Sequence, residues 1–214
     1  MAYTSILFDL DGTLVDSGEG VLKCAELALR HFNLPIPSPE EMRTFVGPPL
    51  RDSFIRFGCT EEMAQEAIAV YRSRYTTVGK FELFVYPGIE QLLQDLTAAG
   101  CKLYVATSKP ETVSVEILHH LGLAKYFTYI AGAALDKSRG TKEEVIAYLL
   151  EQVGDLDGAL MVGDTAYDVI GSAQHGIPCA AITWGYGTVE SLESTHPAAM
   201  VHTTDELLAF VTEK

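Results

Sequence analysis

Along most of the chain, short apolar runs alternate with longer segments whose apolar residues recur every three or four positions. The runs Ser5–Phe8, Leu103–Ala106, Phe127–Ala131, Leu160–Val162 and Cys179–Thr183 have the length and continuity of buried strands. Between them the period turns helical. Ile89, Leu92, Leu93 and Leu96 fall at i, i+3, i+4 and i+7, and Gly100 supplies a stop. Ser108-x-x-Glu111, Thr141-x-x-Glu144 and Thr203-x-x-Glu206 each read as a capping box opening a helix. Strand-then-helix repetition predicts an α/β fold, a doubly wound parallel sheet covered on both faces. Such sheets bind ligands beyond the carboxyl ends of their strands.

One stretch breaks the alternation. From about Val15 to Phe81 the pattern is helical, with no strand between. Val21, Ala25, Ala28 and Phe32 form one stripe. Ser38-Pro39-Glu40-Glu41 is a capped start with Pro at the first helical position. Thr60-Glu61-Glu62 opens a further helix carrying Met63, Ala67, Val70 and Tyr71. The expected division is a core domain of residues 1–14 and 84–214, with an inserted α-helical domain of residues 15–83. The segments Gly12–Asp16 and Gly79–Pro87 would be its hinges.

Charge narrows the possible partners. The 214 residues carry 15 Lys+Arg against 29 Asp+Glu, a formal charge of −14. A field of that size repels nucleic acid polymers and anionic membrane surfaces. It repels small anions too, so any anion site needs local cations. Cys24, Cys59, Cys101 and Cys179 are scattered without a CxxC pair, as expected of buried thiols in a reducing compartment. The start Met1-Ala2-Tyr3-Thr4 lacks a basic n-region, and no apolar run reaches the length of a membrane span. These features predict a cytoplasmic protein.

The sharpest local signal is Asp9-Leu10-Asp11-Gly12-Thr13, where the first strand ends. Side chains two apart in an extended segment project to one side. Asp-Gly is also ordinary turn chemistry. The turn reading weakens when Gly163-Asp164-Thr165-Ala166-Tyr167-Asp168 is found directly after another strand. If both strands are central and parallel, Asp9, Asp11 and Asp164 converge at one sheet edge. Each pair about 4 Å apart repels by about 4 kcal/mol at an effective dielectric of about 20. Three pairs would cost about 12 kcal/mol, comparable to the stability of a whole domain. A cation or bound protons must offset that, and oxygen-only ligands select a hard ion such as Mg²⁺.

Two further segments suit an anion. Thr107-Ser108 follows the strand Leu103–Ala106 and offers a hydroxyl and helix N-terminal amides, with Ser108 as the expected N-cap. Lys142 stands at the first helical position after Thr141, where a cation opposes the helix dipole. An anion should face it: Glu143 or Glu144 in the bland reading, a ligand in the functional one. Lys137 and Arg139 in the preceding loop are alternatives to Lys142.

In order along the chain, Asp9-x-Asp11-x-Thr13, Thr107, Lys142 and Gly163-Asp164-x-x-x-Asp168 resemble the four motifs of the haloacid dehalogenase superfamily. The resemblance spans nearly the whole chain, helical insertion included. Leu14-Val15-Asp16-Ser17, Val46-Gly47-Pro48-Pro49-Leu50 and Thr183-Trp184-Gly185-Tyr186-Gly187 place it near the phosphoglycolate phosphatase-like and 5′-nucleotidase-like members. The segment from Leu135 to Lys142 is closer to the 5′-nucleotidase-like ones.

The resemblance implies a Mg²⁺-dependent phosphatase acting on a small phosphorylated metabolite. Asp9 would be the nucleophile and Asp11 the acid and base. Thr107 and Lys142 would hold the transferring oxygens. Asp9, Asp164 and the main-chain carbonyl of Asp11 would bind the metal, and Asp168 would support that shell or orient Lys142. Thr13, Ser108 and Arg51 are the candidates for contacting substrate, although Arg51 equally suits a solvated helix start. The helical insertion would close over the site as a cap. A sugar phosphomutase or a catalytically silent phosphate-binding regulator would use the same scaffold. A dehalogenase has no need of Asp11, and a phosphonate hydrolase would need a Schiff-base lysine where only Lys23 and Lys80 stand.

Overall fold

A computed structural model describes residues 3–136 and 138–213. They form two compact units, one running from Asp16 to Phe84 and the other comprising the rest.

The sheet-bearing unit begins with β1 (Ser5–Phe8), buried at all four positions, as a strand covered on both faces must be. The chain leaves and re-enters this unit through two short strands, β2 (Val15–Asp16) and β3 (Phe84–Val85), which pair with each other. Between them lie α1 (Gly18–His31), α2 (Pro39–Arg43), α3 (Leu50–Arg56), α4 (Glu61–Tyr75) and a 3₁₀ turn, Gly79–Phe81. Then follow α5 (Ile89–Ala98), β4 (Lys102–Pro110), α6 (Glu111–His120), β5 (Phe127–Ala133) and α7 (Lys142–Val153). The chain ends with β6 (Ala159–Gly163), α8 (Ala166–Ala173), β7 (Cys179–Ile182), α9 (Val189–Glu193), β8 (Ala199–Val201) and α10 (Thr204–Thr212).

Six parallel strands make the main sheet in the order β5-β4-β1-β6-β7-β8. The fold is therefore the expected doubly wound α/β architecture. Phe8 lies level with Val105 of β4 on one side and Val162 of β6 on the other. The chain moves outward from β1 through β4 to β5, then restarts on the opposite side at β6. In doubly wound sheets, a reversal of this kind marks the place where ligands bind, beyond the carboxyl ends of the strands. One face of the sheet packs Leu7, Ala106 and Met161 against Val145, Ile146 and Leu149 of α7. Burying this apolar surface, at about 25 cal/mol per Å², fixes the helix whose first residue is Lys142.

Several sequence expectations are met in detail. Ile89, Leu92, Leu93 and Leu96 are all buried, and Gly100 follows the end of α5 at a φ of 89°. Ser38 and Thr141 each form a full capping box, with Glu41 and Glu144. Thr203 caps α10, but the Glu206 carboxylate accepts from the His202 amide instead of closing the box. All four cysteines are buried and free. Among the described residues, no helix is long and apolar enough to cross a membrane.

Three expectations are corrected. The box at Ser108 does not form. Ser108 is exposed within β4, and α6 starts at Glu111 after Pro110. Proline disfavours the helical conformation in the residue before it, so Lys109 cannot be a first helical residue. The buried stripe of α4 is Ala64, Ala67, Tyr71 and Tyr75, with Met63 and Val70 half-buried beside it. The edge strand β8 and the pair β2–β3 were not expected, being too short to show a period.

Within the helical unit, Phe45 packs edge-on to Phe54 and stacks on Phe57, with ring centroids 5.3 and 4.9 Å apart. Arg74 grips Glu82 with both terminal nitrogens, at 2.6 and 2.9 Å.

Candidate active site

The loop after β1 is a tight turn. The Leu10 carbonyl accepts from the amides of Thr13, Leu14 and Val15, and Gly12 donates to the Val15 carbonyl at 2.8 Å. Gly12 has a φ of 84°, and a Cβ there would stand 2.2 Å from Asp164 Oδ2. Glycine is therefore needed both for the backbone angle and for the close approach of Asp164.

Asp164, leaving β6, is fully buried. Thr13 Oγ1 donates to its Oδ1 at 3.1 Å and the Tyr186 amide donates to its Oδ2 at 2.8 Å. Trp184 Nε1 in turn donates to the Thr13 carbonyl at 3.1 Å, tying the segment after β7 to the first turn. Thr13 is fully buried and its hydroxyl is spent on Asp164. It supports a carboxylate here, where the sequence reading had it touching substrate.

Lys142 is the centre of the arrangement. Its ammonium donates to the Ala106 carbonyl at 2.8 Å and lies 2.7 Å from both Asp9 Oδ1 and Asp168 Oδ1. The anions facing this helix-opening cation are thus Asp9 and Asp168. Glu144 closes the capping box instead. The other Asp168 oxygen accepts from the amide and hydroxyl of Thr165, at 3.0 and 2.8 Å. Gly171 lets α7 and α8 approach, since a Cβ there would meet Lys142 Cβ at 2.7 Å. Thr107, buried in β4, accepts from the Lys109 amide at 3.3 Å.

Carboxylate oxygens of Asp9, Asp164 and Asp168 lie within 4.8 Å of one another. Asp11, expected as the third member of the cluster, is not one of these three: its Oδ2 accepts from Lys109 Nζ at 2.7 Å. Lys109 was not singled out in the sequence. Ser108, exposed and not a cap, offers no helix N-terminus to an anion. Arg51 belongs to the helical unit, where Asp52 and Glu61 take up its guanidinium. Arg139 is held by the Gly132 carbonyl and Glu111 and stacks 3.5 Å above the Tyr148 ring, so it is anchored elsewhere in the unit. Lys137 lies outside the described residues.

The electrostatics agree with an oxygen-rich cation site. Four carboxylates (Asp9, Asp11, Asp164, Asp168) meet two ammoniums (Lys109, Lys142), which formally leaves two negative charges. The two lysines relieve much of the repulsion expected from sequence, and the remainder matches one divalent ion. Burial raises the Asp9 pKa to about 6 despite the opposing pull of Lys142. Burial, reinforced by Asp168 and Asp9, raises that of Asp164 to about 8. Burial alone would lower the Lys142 pKa, but Asp168 and Asp9 outweigh it and the net shift is upward. Asp9 and Asp164 have the donor type and charge to hold a hard cation. The Asp11 carboxylate, committed to Lys109, does not join them.

Residues 6–182 match the family model of haloacid dehalogenase-like hydrolases, and the chain belongs to that family. Within it, the chain is an enzyme of the phosphatase class, a phosphoric monoester hydrolase. It is 38% identical to a 5′-nucleotidase of Pseudomonas aeruginosa, over 92% of this chain and 90% of that one. A tyrosine-protein kinase, PtkA of Mycobacterium tuberculosis, is 42% identical over 94% of this chain and 70% of its own length. Phosphoglycolate phosphatase of Pseudomonas savastanoi is a more distant relative, at 26% over 95% and 78%. The crystal structure of a predicted phosphatase from Clostridium acetobutylicum superposes with a TM-score of 0.92 at 42% identity, covering 99% of both chains.

Proposed function

We propose that this enzyme hydrolyses small phosphomonoesters, of the phosphoglycolate or nucleoside 5′-monophosphate type, through a phosphorylated Asp9 and with Mg²⁺ bound. The observation that carries the reading is the buried cluster of Asp9, Asp164 and Asp168 around the ammonium of Lys142. An apolar interior has no use for so many charges unless they handle a charged ligand.

In this reading an Asp9 oxygen bonds to phosphorus as the bond to the alcohol oxygen breaks. Asp11 gives that oxygen its proton, and then takes one from the water that hydrolyses the acyl phosphate. Lys142 and the Thr107 hydroxyl stabilise charge on the transferring oxygens. Asp168, gripped by Thr165, keeps Lys142 aimed. Asp9 and Asp164, with the main-chain carbonyl of Asp11, would hold Mg²⁺, which neutralises phosphate charge when bound.

Release of inorganic phosphate from p-nitrophenyl phosphate tests the activity. Asp9→Asn should keep the fold and lose turnover by about a thousandfold or more. Undiminished turnover in that variant removes Asp9 from its role. A panel of phosphoglycolate, nucleoside monophosphates and sugar phosphates, ranked by kcat/KM, assigns the substrate. MgCl₂ should also raise the melting temperature of the resting protein, a readout independent of turnover.

The kinase relative supports a second reading, in which the acceptor is a protein tyrosine instead of water. Label passing from γ-³²P-ATP to a tyrosine copolymer, with no phosphate release from monoesters, would favour it.

A further inference from the structure

We propose that Lys109 is the positioning residue of Asp11: by binding Oδ2 it leaves Oδ1 as the oxygen that exchanges protons with the leaving group. The inference rests on the phosphatase reading and deepens it.

Thr107 is level with Gly132 of β5, yet the next register pair is Pro110 with Ala133. Ser108 and Lys109 are therefore extra residues in β4, a bulge of the kind that re-aims a side chain next to a functional site. It sends the Lys109 side chain, only 7% exposed, to Asp11 Oδ2 at 2.7 Å. The Lys109 amide is tied to Thr107 Oγ1 at 3.3 Å, so the bulge is anchored to a buried residue of the same strand. Asp11 Oδ1 is buried and, among the described residues, has no hydrogen-bond partner.

A pair that existed only to neutralise a buried lysine would give no reason for the second oxygen to remain unsatisfied. The asymmetry instead divides the labour between the two oxygens. One is fixed by the ammonium, which sets the carboxyl plane. The other stays open to a ligand. In the first step the P–O bond to the alcohol breaks with its electron pair on the alcohol oxygen, which takes the proton from Oδ1. In the second, water oxygen bonds to phosphorus, its proton passes to Oδ1, and the Asp9–phosphorus bond breaks with its pair on Asp9.

The test exploits the leaving group. p-Nitrophenolate departs without a proton, whereas an alkoxide needs one, and kcat/KM reports the step in which it leaves. Wild type and Lys109→Met are compared on p-nitrophenyl phosphate and on whichever of phosphoglycolate, 5′-AMP or glucose 6-phosphate wild type hydrolyses fastest. The alkyl-to-aryl ratio of kcat/KM should fall about tenfold or more in the variant, within the range of general acid catalysis. In Asp11→Asn the ratio should already be low, and adding Lys109→Met should lower it no further. Equal losses on both esters would make Lys109 a ligand of the shared phosphate and overturn the proposal. An unchanged ratio would make it a bystander, with the same consequence. If the methionine variant does not fold, Lys109→Gln carries the same ratio. Absent phosphate release by wild type, or undiminished activity of Asp9→Asn, sinks the phosphatase reading itself and is distinct from these outcomes.

Discussion

Lys142 Nζ and Asp168 Oδ1 lie 2.7 Å apart, with side chains 4% and 0% exposed, although one residue opens α7 and the other sits in the first turn of α8. The pair fastens two helices at the point where they meet the carboxyl ends of the strands. Breaking a buried pair by removing one partner typically costs about 3–5 kcal/mol. Since Asp9 would still face Lys142, Asp168→Ala should lose about 3 kcal/mol in urea unfolding. Turnover should fall with it as Lys142 loses its bearing. A variant with full stability and full kcat would show that the pair holds nothing in place.

The raised carboxyl pKa values predict how metal and pH trade off. A raised folded-state value means that the protonated form stabilises the fold. That contribution is complete below the ordinary 3.8 and is lost as pH rises through about 6 for Asp9 and about 8 for Asp164. Protein stripped with EDTA should therefore melt at progressively lower temperature from about pH 5 to about pH 8.5. Mg²⁺ held at one concentration, about a hundredfold above its Kd at about pH 8.5, should add about 2.7 kcal/mol there and less at about pH 5, where protonated carboxyls bind it more weakly. Calorimetry that finds the same Mg²⁺ increment at both ends of the range contradicts this.

Glu82 offers the opposite sign, well away in sequence from the acidic motifs. Its two-pronged bond to Arg74, with help from Lys23, lowers its carboxyl from 4.5 to about 2. A depressed acid stabilises above the unfolded value, and the benefit disappears as pH falls from 4.5 through about 2. Glu82→Gln should cost about 1–2 kcal/mol near neutrality. The gap from wild type should close on acidification across that window, as followed by helical circular dichroism.

Gly171 sets the spacing between α7 and α8. Gly171→Ala places a methyl 2.7 Å from Lys142 Cβ and 3.0 Å from the Glu143 amide nitrogen. Overpacking of this kind costs about 1–3 kcal/mol. Because the displaced neighbour is Lys142 itself, kcat should fall more than stability alone explains. A fully active alanine variant would mean that the helices separate without moving the ammonium.

The sheet was legible because central parallel strands must be apolar at every position. Ser5–Phe8, Leu160–Val162 and their neighbours stood out as runs between helical periods. The aspartates after β1 and β6 were legible for a related reason: carboxylates directly after buried strands have few roles that are only structural. Lys109 was overlooked because its importance comes from a bulge, and a bulge leaves no periodic trace. Yet Pro110 carried a usable warning. Applied to Lys109, the restriction on residues preceding proline rules out a helix opened at Ser108 and leaves an extended lysine beside Thr107. The sequence reading brought the Asp11 carboxylate together with Asp9 and Asp164, whereas the carboxylate within 4.8 Å of both is that of Asp168. Residues two apart on an extended strand share a side, but Asp11 already lies in a turn, where that rule no longer applies. Thr13 was placed on the ligand because nothing in a linear reading reveals that Asp164, so distant along the chain, would claim its hydroxyl.

The position of β1 also governs how the molecule is made. It is the first of the main sheet's six strands along the chain, but both of its neighbours, β4 and β6, come much later. At about 5–20 residues per second, the roughly 150 residues before β6 take about 8–30 s to translate. For that interval β1 lacks its partner on the β6 side. Assembly of the acidic pocket is therefore a closing event of biosynthesis, and a nascent chain stalled before β6 would present chaperones with Ser5–Phe8 and no chemistry.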